Sequence, residues 1–222
     1  MNLDGLEDAG FALVPSFVDR AAAIALRELY ADDALFRSRI VMERHRFGRG
    51  EYKYFRDPLP PFVENLRRRL YAALLPSARD WSQRLGFDAT FPDTLDGFLE
   101  RCHASKQRRP TPLLLKYGPG DYNCLHQDLY GPVAFPLQAT LYLSRPREEF
   151  DGGQVVLAEQ RPRAQTRAHV VDPAQGDLLV LPTAAVPRAG TRGTYRATFK
   201  HGVSTVTRGE RYALGLIFHD AL

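Results

Sequence analysis

The sequence predicts a mainly β fold with flanking helices (α+β), in which N-terminal helices pack on a double-stranded β-helix, or jelly roll. From Leu113 onward about eight short β-rich runs are separated by Gly and Pro, which is typical of antiparallel rolls. The residues before them have helical periodicity instead. A chain of 222 residues with 44% hydrophobic composition can bury one sizeable core. We therefore expect a single domain over 1–222, with 1–110 as helical support and candidate substrate lid and 111–222 as jelly-roll core.

The first half of the chain contains four helical patterns and one short strand. The strand is predicted over 10–18, and Asp19 is placed to cap the helix that follows it. Apolar residues recur at helical spacing over 20–30, 61–75, 78–85 and 93–103. Residues 37–56 differ, because seven basic side chains alternate there with four aromatic ones. We expect this segment to be a loop or hairpin rather than part of the core.

The second half has the punctuation of a β-rich domain. Its predicted strands are LLLKY (113–117), FPLQATLYLS (135–144), GQVVLAEQ (153–160), TRAHVV (166–171), DLLVLP (177–182), TYRATFKHGVSTV (194–206) and RYALGLIF (211–218). Each run is short and bounded by Gly or Pro.

Charge, cysteine content and hydropathy argue against some classes of protein but do not identify a single class. The chain has 30 basic and 26 acidic residues, a net charge of +4, which weakly favours a phosphate-rich partner. Two cysteines, Cys102 and Cys124, are too few for a disulfide scaffold. No apolar stretch reaches the roughly 18 residues of a membrane span, and the start lacks the features of a signal peptide. We therefore expect a cytoplasmic protein that does not enter membranes.

Four polar residues, far apart in the chain, form the most informative pattern. His126-Gln-Asp128 is followed by His201 and then, ten residues later, by Arg211. Two imidazoles and one carboxylate on one face of a metal leave the other face open, as a non-haem Fe(II) oxygenase requires. His-x-Asp places both side chains on the same side of a strand, since side chains alternate with period two. The planar guanidinium of Arg211 suits a carboxylate co-substrate.

The ordered set of motifs from residue 113 onward resembles the Fe(II)/2-oxoglutarate-dependent dioxygenase superfamily. The motifs are Tyr117-Gly-Pro-Gly ahead of His126-Gln-Asp128, then Tyr-Leu-Ser from Tyr142, Asp-Gly-Gly from Asp151, and the segment from His201 to Arg211. The resemblance implies that His126, Asp128 and His201 bind Fe(II) and act in catalysis. It also implies that Arg211 binds the distal carboxylate of 2-oxoglutarate, and that O2 is the second co-substrate.

Other residues are placed near the co-substrate by the same resemblance. Tyr142 matches a tyrosine that supports the 2-oxoglutarate carboxylate in prolyl hydroxylases, and Tyr117 matches one that lies beside the co-substrate in several families. Thr198 or Gln138 could line the same pocket, and nothing in the spacing distinguishes them. Cys124 shares a strand face with His126, so it either lines the pocket or is a buried structural thiol.

The substrate is less well defined by the sequence, because two subfamilies are matched in part. Tyr117-Gly-Pro-Gly and Leu125-His-Gln-Asp resemble alkylation-repair demethylases, although Leu115 and Ala213 stand where those enzymes carry asparagines. Asp151-Gly-Gly and the ten-residue gap between His201 and Arg211 resemble prolyl hydroxylases.

The whole chain most resembles a family of small bacterial oxygenases described as acting on damaged DNA. The matching segments are 117–131, 158–167 and 211–221. This resemblance implies oxidation of alkylated bases in DNA or RNA, single-stranded or flipped out of the duplex. A basic, aromatic-rich segment can bind a phosphate backbone and stack bases. The candidate substrate and lid residues are Arg46, Arg49, Tyr52, Tyr54, Arg161 and Arg163.

Two alternatives stay open at this stage. The first is a protein or peptide hydroxylase of the prolyl type, and the second is a metal-free jelly-roll binding module. His219, near the last strand, is expected to be solvated like most terminal polar residues.

Overall fold

The computed structural model describes residues 1–191 and 193–222. Its helices are α1 (Gly5–Asp8), α2 (Arg20–Glu28), α3 (Pro61–Arg84) and α4 (Leu95–Ala104). Its strands are β1 (Ala12–Val14), β2 (Phe36–Val41), β3 (Gly48–Arg49), β4 (Glu51–Phe55), β5 (Leu113–Tyr117), β6 (Tyr122–His126), β7 (Leu137–Tyr142), β8 (Phe150–Gly152), β9 (Val155–Gln160), β10 (Arg167–Val171), β11 (Leu178–Pro182), β12 (Ala185–Gly190), β13 (Gly193–Val203), β14 (Val206–Gly209) and β15 (Arg211–Leu216).

Two antiparallel sheets form the roll, as predicted. The larger has seven strands in the order β1-β11-β7-β15-β5-β4-β2, and the smaller has the order β10-β9-β13-β6-β3 with β12 on β13. A two-stranded ribbon, β14-β8, completes the strand pairing of the described residues. In both sheets, strands that are far apart in the sequence pair with each other. The roll therefore places side chains from distant parts of the chain close together.

The helices cover the larger sheet. Side chains of α3 and α4 join those of the sheet in one apolar core, where the ring of Tyr71 lies 4.9 Å from Phe135 and 5.6 Å from Phe98. The buried Arg67 of α3 binds the Ile217 and Phe218 carbonyl oxygens and the carboxylate of Asp220. This ion pair fixes α3 to the chain that leaves β15. No helix in the described part of the chain is both long and apolar enough to cross a bilayer.

Several predicted elements form with altered bounds. Asp19 caps α2 through a hydrogen bond from the Ala22 amide, as expected. The patterns at 61–75 and 78–85 belong to one helix, α3. Pro76 lies inside this helix and removes one backbone hydrogen bond, but the helix continues past it. The strand β12 was not predicted, since Pro187 and Gly190 resemble turn residues. β12 pairs with β13 alone, and such an edge strand tolerates proline.

The basic segment 37–56 is a hairpin, but the expectation that it lies outside the core is wrong. β4 pairs with β5 in the larger sheet, and Phe55 is fully buried. Lys53 is also buried, because its ammonium donates to the Tyr30 carbonyl oxygen at 2.8 Å and to the Asp33 carboxylate at 2.6 Å. The many charged residues of segment 37–56 obscured the pattern of β4, in which Lys53 and Phe55 alternate with less buried residues.

Candidate metal centre and co-substrate pocket

Two neighbouring strands bring the candidate ligands together. β6 and β13 pair antiparallel with His126 directly opposite His201, and the two imidazole centres lie 4.2 Å apart. Asp128 lies two residues beyond the end of β6, so the prediction that it shares a strand with His126 is wrong. Its Oδ2 is 3.2 Å from His201 Nε2 and its Oδ1 is 3.5 Å from His126 Nε2. One ligand atom from each residue lies within 4.8 Å of the others.

Hydrogen bonds orient each member of this triad. His126 Nδ1 lies 2.8 Å from the Cys124 carbonyl oxygen, so it donates there and leaves Nε2 with its lone pair free. The phenol of Tyr130 donates to Asp128 Oδ1 at 2.7 Å. The loop between the ligands is held by Gln127, whose side-chain amide donates to the Ala184 and Phe199 carbonyl oxygens.

The charges of the triad suit a divalent cation. Burial would raise the pKa of the Asp128 carboxyl, but His201 and His126 hold it well below its usual range. Burial lowers the pKa of His201 despite the opposing effect of Asp128. At His126 the interactions with Asp128 exceed the effect of burial and raise the pKa. The site therefore combines an anionic Asp128 carboxylate with a neutral His201 imidazole, and the ligand atoms of all three residues converge.

The donor set fits Fe(II). Two imidazole nitrogens and one carboxylate lie on one side of a cavity of about 360 Å³, and their free ligand atoms converge. That arrangement leaves the cavity side available to a co-substrate.

The wall opposite the triad consists of three adjacent strands of the larger sheet. Alternate residues of β5, β15 and β7 face the cavity, which places Arg211 beside Tyr117 in register and Ala213 beside Tyr142. The guanidinium carbon of Arg211 lies 5.4 Å from the Tyr117 ring centre and 5.3 Å from that of Tyr142. Both tyrosines are buried, so they close one end of the cavity.

Arg211 is only 3% exposed, and it forms no ion pair with any carboxylate in the described part of the chain. Burying a cation without a partner is unfavourable, so this end of the cavity is suited to an anion. Gly153, with φ +65°, makes room for the arginine, because a Cβ there would lie 2.8 Å from Arg211 Cδ. The Asp-Gly-Gly motif thus keeps the guanidinium in place.

Comparison with known proteins decides the family. Residues 50–221 match the family model Oxygenase-NA, described as "Oxygenase, catalysing oxidative methylation of damaged DNA". The chain belongs to this oxygenase family. The sequence-based resemblance is therefore confirmed at the level of the family. An uncharacterised protein of Mycobacterium tuberculosis (strain H37Rv) is 46% identical to the oxygenase over 196 residues, covering 86% of this chain and 84% of the relative.

Solved structures show that the oxygenase has the fold of the 2-oxoglutarate/Fe(II) oxygenases, which confirms the jelly roll. A Pseudomonas putida prolyl-4-hydroxylase is similar with a TM-score of 0.56 and 18% identity, covering 98% of this chain and 97% of that one. A viral collagen prolyl hydroxylase of Paramecium bursaria Chlorella virus-1, solved as its 2-oxoglutarate complex, gives 0.56 and 15%, covering 98% of both chains. A 2OG-Fe(II) family oxidoreductase of Burkholderia pseudomallei gives 0.52 and 17%, covering 98% and 90%.

The cavity mouth of the oxygenase includes part of the predicted lid. Arg46 and Tyr52 line the cavity, together with the neighbouring Phe47. Tyr54 lies behind them, with its phenol 3.4 Å from that of Tyr130. Arg49 is exposed, faces a separate surface groove and lies 4.0 Å from Glu43.

The two other predicted substrate residues lie away from the cavity lining. Arg161 binds the buried Glu159 at 3.0 Å. Arg163 is exposed in a turn after β9 and has φ +58°. Thr198 does not line the cavity, because it lies on the opposite face of β13 from His201.

Sequence reasoning missed or left open several residues of the oxygenase site. Cys124 is exposed and lines the cavity, so it is not a buried structural thiol. His219 is fully buried rather than solvated, and its Nε2 donates to the Asp128 carbonyl oxygen at 3.1 Å. Tyr130 was not singled out, although its place two residues after Asp128 was a usable signal. Gln138 lines the cavity, and only the packing of the sheets distinguishes it from Thr198.

Proposed function

We propose that this oxygenase is an Fe(II)- and 2-oxoglutarate-dependent dioxygenase that oxidises alkyl groups on nucleic-acid bases. The observation that supports the cofactor assignment is the His126–Asp128–His201 triad facing the unpaired, buried Arg211 across one cavity. The triad would hold the metal. Arg211 would bind the distal carboxylate of 2-oxoglutarate, and Tyr142 and Tyr117 would enclose it.

The bound iron would couple O2 reduction to oxidative decarboxylation of 2-oxoglutarate, yielding succinate, CO2 and a hydroxylated substrate C–H bond. The protein holds the oxo acid in one orientation and keeps bulk water from it. On an N-methylated base, hydroxylation of the methyl group gives a hemiaminal, which releases formaldehyde and restores the N–H. This is the chemistry that a damaged-base substrate would require.

The rim of the cavity supports a nucleic-acid substrate. Phe47 is 49% exposed and Leu125 is 45% exposed, and both line the cavity, as does Arg46. An exposed ring next to a cation can stack a base and neutralise a phosphate, at about 1–3 kcal/mol per stacked base. Together with the family description, this favours a single-stranded or flipped base in DNA or RNA.

The rim is attached to the strand that carries His126. β3 pairs with β6, and the Cys124 amide donates to the Phe47 carbonyl oxygen at 2.9 Å. Gly48 has φ +135°, and a Cβ there would lie 2.3 Å from the Tyr122 carbonyl oxygen, so only glycine allows this approach. The 1–110 half would thus contribute the substrate lid of one domain, as the sequence predicts.

Peptide hydroxylation is the second candidate. Two of the solved structures of similar fold are prolyl hydroxylases, and the Asp151-Gly-Gly motif holds Arg211 in this chain. A metal-free binding module is the third, and iron-dependent 2-oxoglutarate decarboxylation would exclude it. We also keep the cytoplasmic location as a prediction.

The substrates are separated by comparing how methylated single-stranded DNA and proline-rich peptides stimulate 2-oxoglutarate turnover. We expect stimulation by DNA, with binding that weakens steeply as salt rises. Charge reversal at Arg46 and Arg49 should weaken DNA binding and leave uncoupled turnover intact. Arg69→Glu, at an exposed position of α3, is the matched control. Stimulation by peptides alone, or DNA binding indifferent to salt, would favour the peptide hydroxylase.

A further inference from the structure

One buried polar side chain in the cavity has no partner. Gln138 is only 4% exposed, and its Nε2 forms no hydrogen bond with any described residue. The other buried side-chain nitrogen in this state, Trp81 Nε1, belongs to a residue that does not line the cavity. A buried donor without an acceptor costs about 1–3 kcal/mol. Such a group in a ligand cavity indicates that an acceptor is supplied by the ligand.

The strand β7 aims this amide at the same space as the proposed co-substrate site. Gln138, Thr140 and Tyr142 alternate along β7, so their side chains share one face, and all three line the cavity. Tyr142 and Gln138 are separated by roughly 13 Å along the strand. A five-carbon dicarboxylate with a hydrogen bond at each end can span that length.

On β7 and β15 the cavity-lining residues between the two ends are small. Thr140 lies opposite Gly215 of β15, and Ala213 lies opposite Tyr142. A Cβ at Gly215 would lie 2.7 Å from Leu113 Cδ2, so glycine keeps this part of the wall flat. The wall therefore forms a trough with Arg211 at one end and Gln138 at the other.

The Gln138 end of the trough is the end nearer the triad. From Arg211 the chain runs along β15 to Ile217, which lines the cavity, and then to His219. His219 donates to the Asp128 carbonyl oxygen at 3.1 Å, so Asp128 lies close to the end of this chain segment. In the pairing of β15 with β7, Leu216 lies opposite Ala139. Gln138 therefore lies at the level of Ile217, near the end of β15 that leads to His219.

We propose that the Gln138 amide donates a hydrogen bond to the oxo-acid end of 2-oxoglutarate and so orients it at the metal. The inference rests on the proposed function. Gln138 and Arg211 then bind the two ends of one ligand, and the cavity selects a 2-oxo dicarboxylate by both its length and its two acceptor groups.

The test measures binding and does not depend on turnover. Protein loaded with Mn(II) under anaerobic conditions is titrated calorimetrically with 2-oxoglutarate and with 2-oxobutyrate, which keeps the oxo acid but lacks the distal carboxylate. Gln138→Met should weaken both ligands about tenfold, as expected for one lost hydrogen bond. Arg211→Met should weaken 2-oxoglutarate far more and leave 2-oxobutyrate nearly unchanged.

The outcomes separate the two proposals. If the wild-type protein fails to bind 2-oxoglutarate, the proposed function is wrong. If the wild-type protein binds 2-oxoglutarate, two results would show that only the assignment of Gln138 is wrong. In the first, Gln138→Met binds each ligand as tightly as the wild-type protein does. In the second, Gln138→Met loses affinity for 2-oxoglutarate but not for 2-oxobutyrate. Thermal unfolding of the ligand-free proteins tests a purely structural role. We expect Gln138→Met to melt at or above the wild-type temperature, since an unpartnered donor is removed, and a clear fall would overturn the proposal.

Discussion

The Tyr130 phenol donates a 2.7 Å hydrogen bond to Oδ1 of Asp128, the carboxylate that lies between the two histidines of the triad. The Tyr130 phenol is in turn 3.4 Å from the Tyr54 phenol, so the carboxylate ends a chain of partly buried hydroxyl groups. This contact restrains the rotation of the Asp128 carboxylate within the triad. It suggests a variant that changes metal binding without touching a ligand.

Tyr130→Phe should weaken Fe(II) or Mn(II) binding by about 10–100-fold, because a lost partner frees the ligand to rotate. Calorimetric titration with Mn(II) measures the effect. Tyr54→Phe, which removes the weaker and more distant hydroxyl, should change the affinity little. Equal effects of the two variants would show that the hydroxyl chain acts as a unit and that the direct contact has no special role.

His126→Ala should abolish both metal binding and 2-oxoglutarate decarboxylation, since two remaining ligands cannot hold the ion in this geometry. His45→Ala is the control, because that imidazole is exposed and stacks on Phe47 at 5.4 Å rather than on the triad. Metal content after dialysis and CO2 release under uncoupled conditions measure the two effects. Full turnover by His126→Ala would show that the metal assignment is wrong.

Arg211→Met should raise the KM for 2-oxoglutarate at least thirtyfold and change kcat less. Removing one partner of a buried charge pair typically costs 2–5 kcal/mol, which corresponds to a factor of about 30 or more. Arg208→Met is the control, because its guanidinium is exposed and binds Asp151 outside the cavity. An unchanged KM in Arg211→Met would place the co-substrate carboxylate elsewhere.

His219 should make the metal-free protein sensitive to mild acid. Burial lowers its pKa to about 4, whereas an unfolded histidine titrates near 6.5. The folded state therefore loses stability as the pH falls through the window from 6.5 to 4, and the loss is absent above it. Between pH 7 and pH 5 the free energy of unfolding should fall by about 2 kcal/mol more than in His219→Gln.

Urea unfolding at the two pH values measures this difference, and the contributions of His126 and His201 are common to both proteins. His45→Gln should keep the wild-type dependence on pH. Parallel curves for wild type and His219→Gln would contradict the assignment of the acid sensitivity to this buried imidazole.

Much of the fold followed from local patterns. Gly and Pro punctuation located seven of the strands after residue 113, and the cap at Asp19 located the start of α2. Local pattern failed where distant partners override it. Lys53 is charged yet buried, because it meets the Asp33 carboxylate and a backbone carbonyl oxygen. Pro187 lies in a strand because β12 is an edge.

By itself the sequence determined the chemical types of the candidate site and their order: spacing and the chemistry of imidazole, carboxylate and guanidinium select His126, Asp128, His201 and Arg211 as candidates. Only the tertiary structure decided which other side chains join them. Gln138 and Thr198 are indistinguishable in the sequence, yet Gln138 lies on the face of β7 that lines the cavity, whereas Thr198 lies on the face of β13 opposite His201. The physical reason is that strand pairing sets which face of each strand looks inward, and that pairing joins residues far apart in the chain.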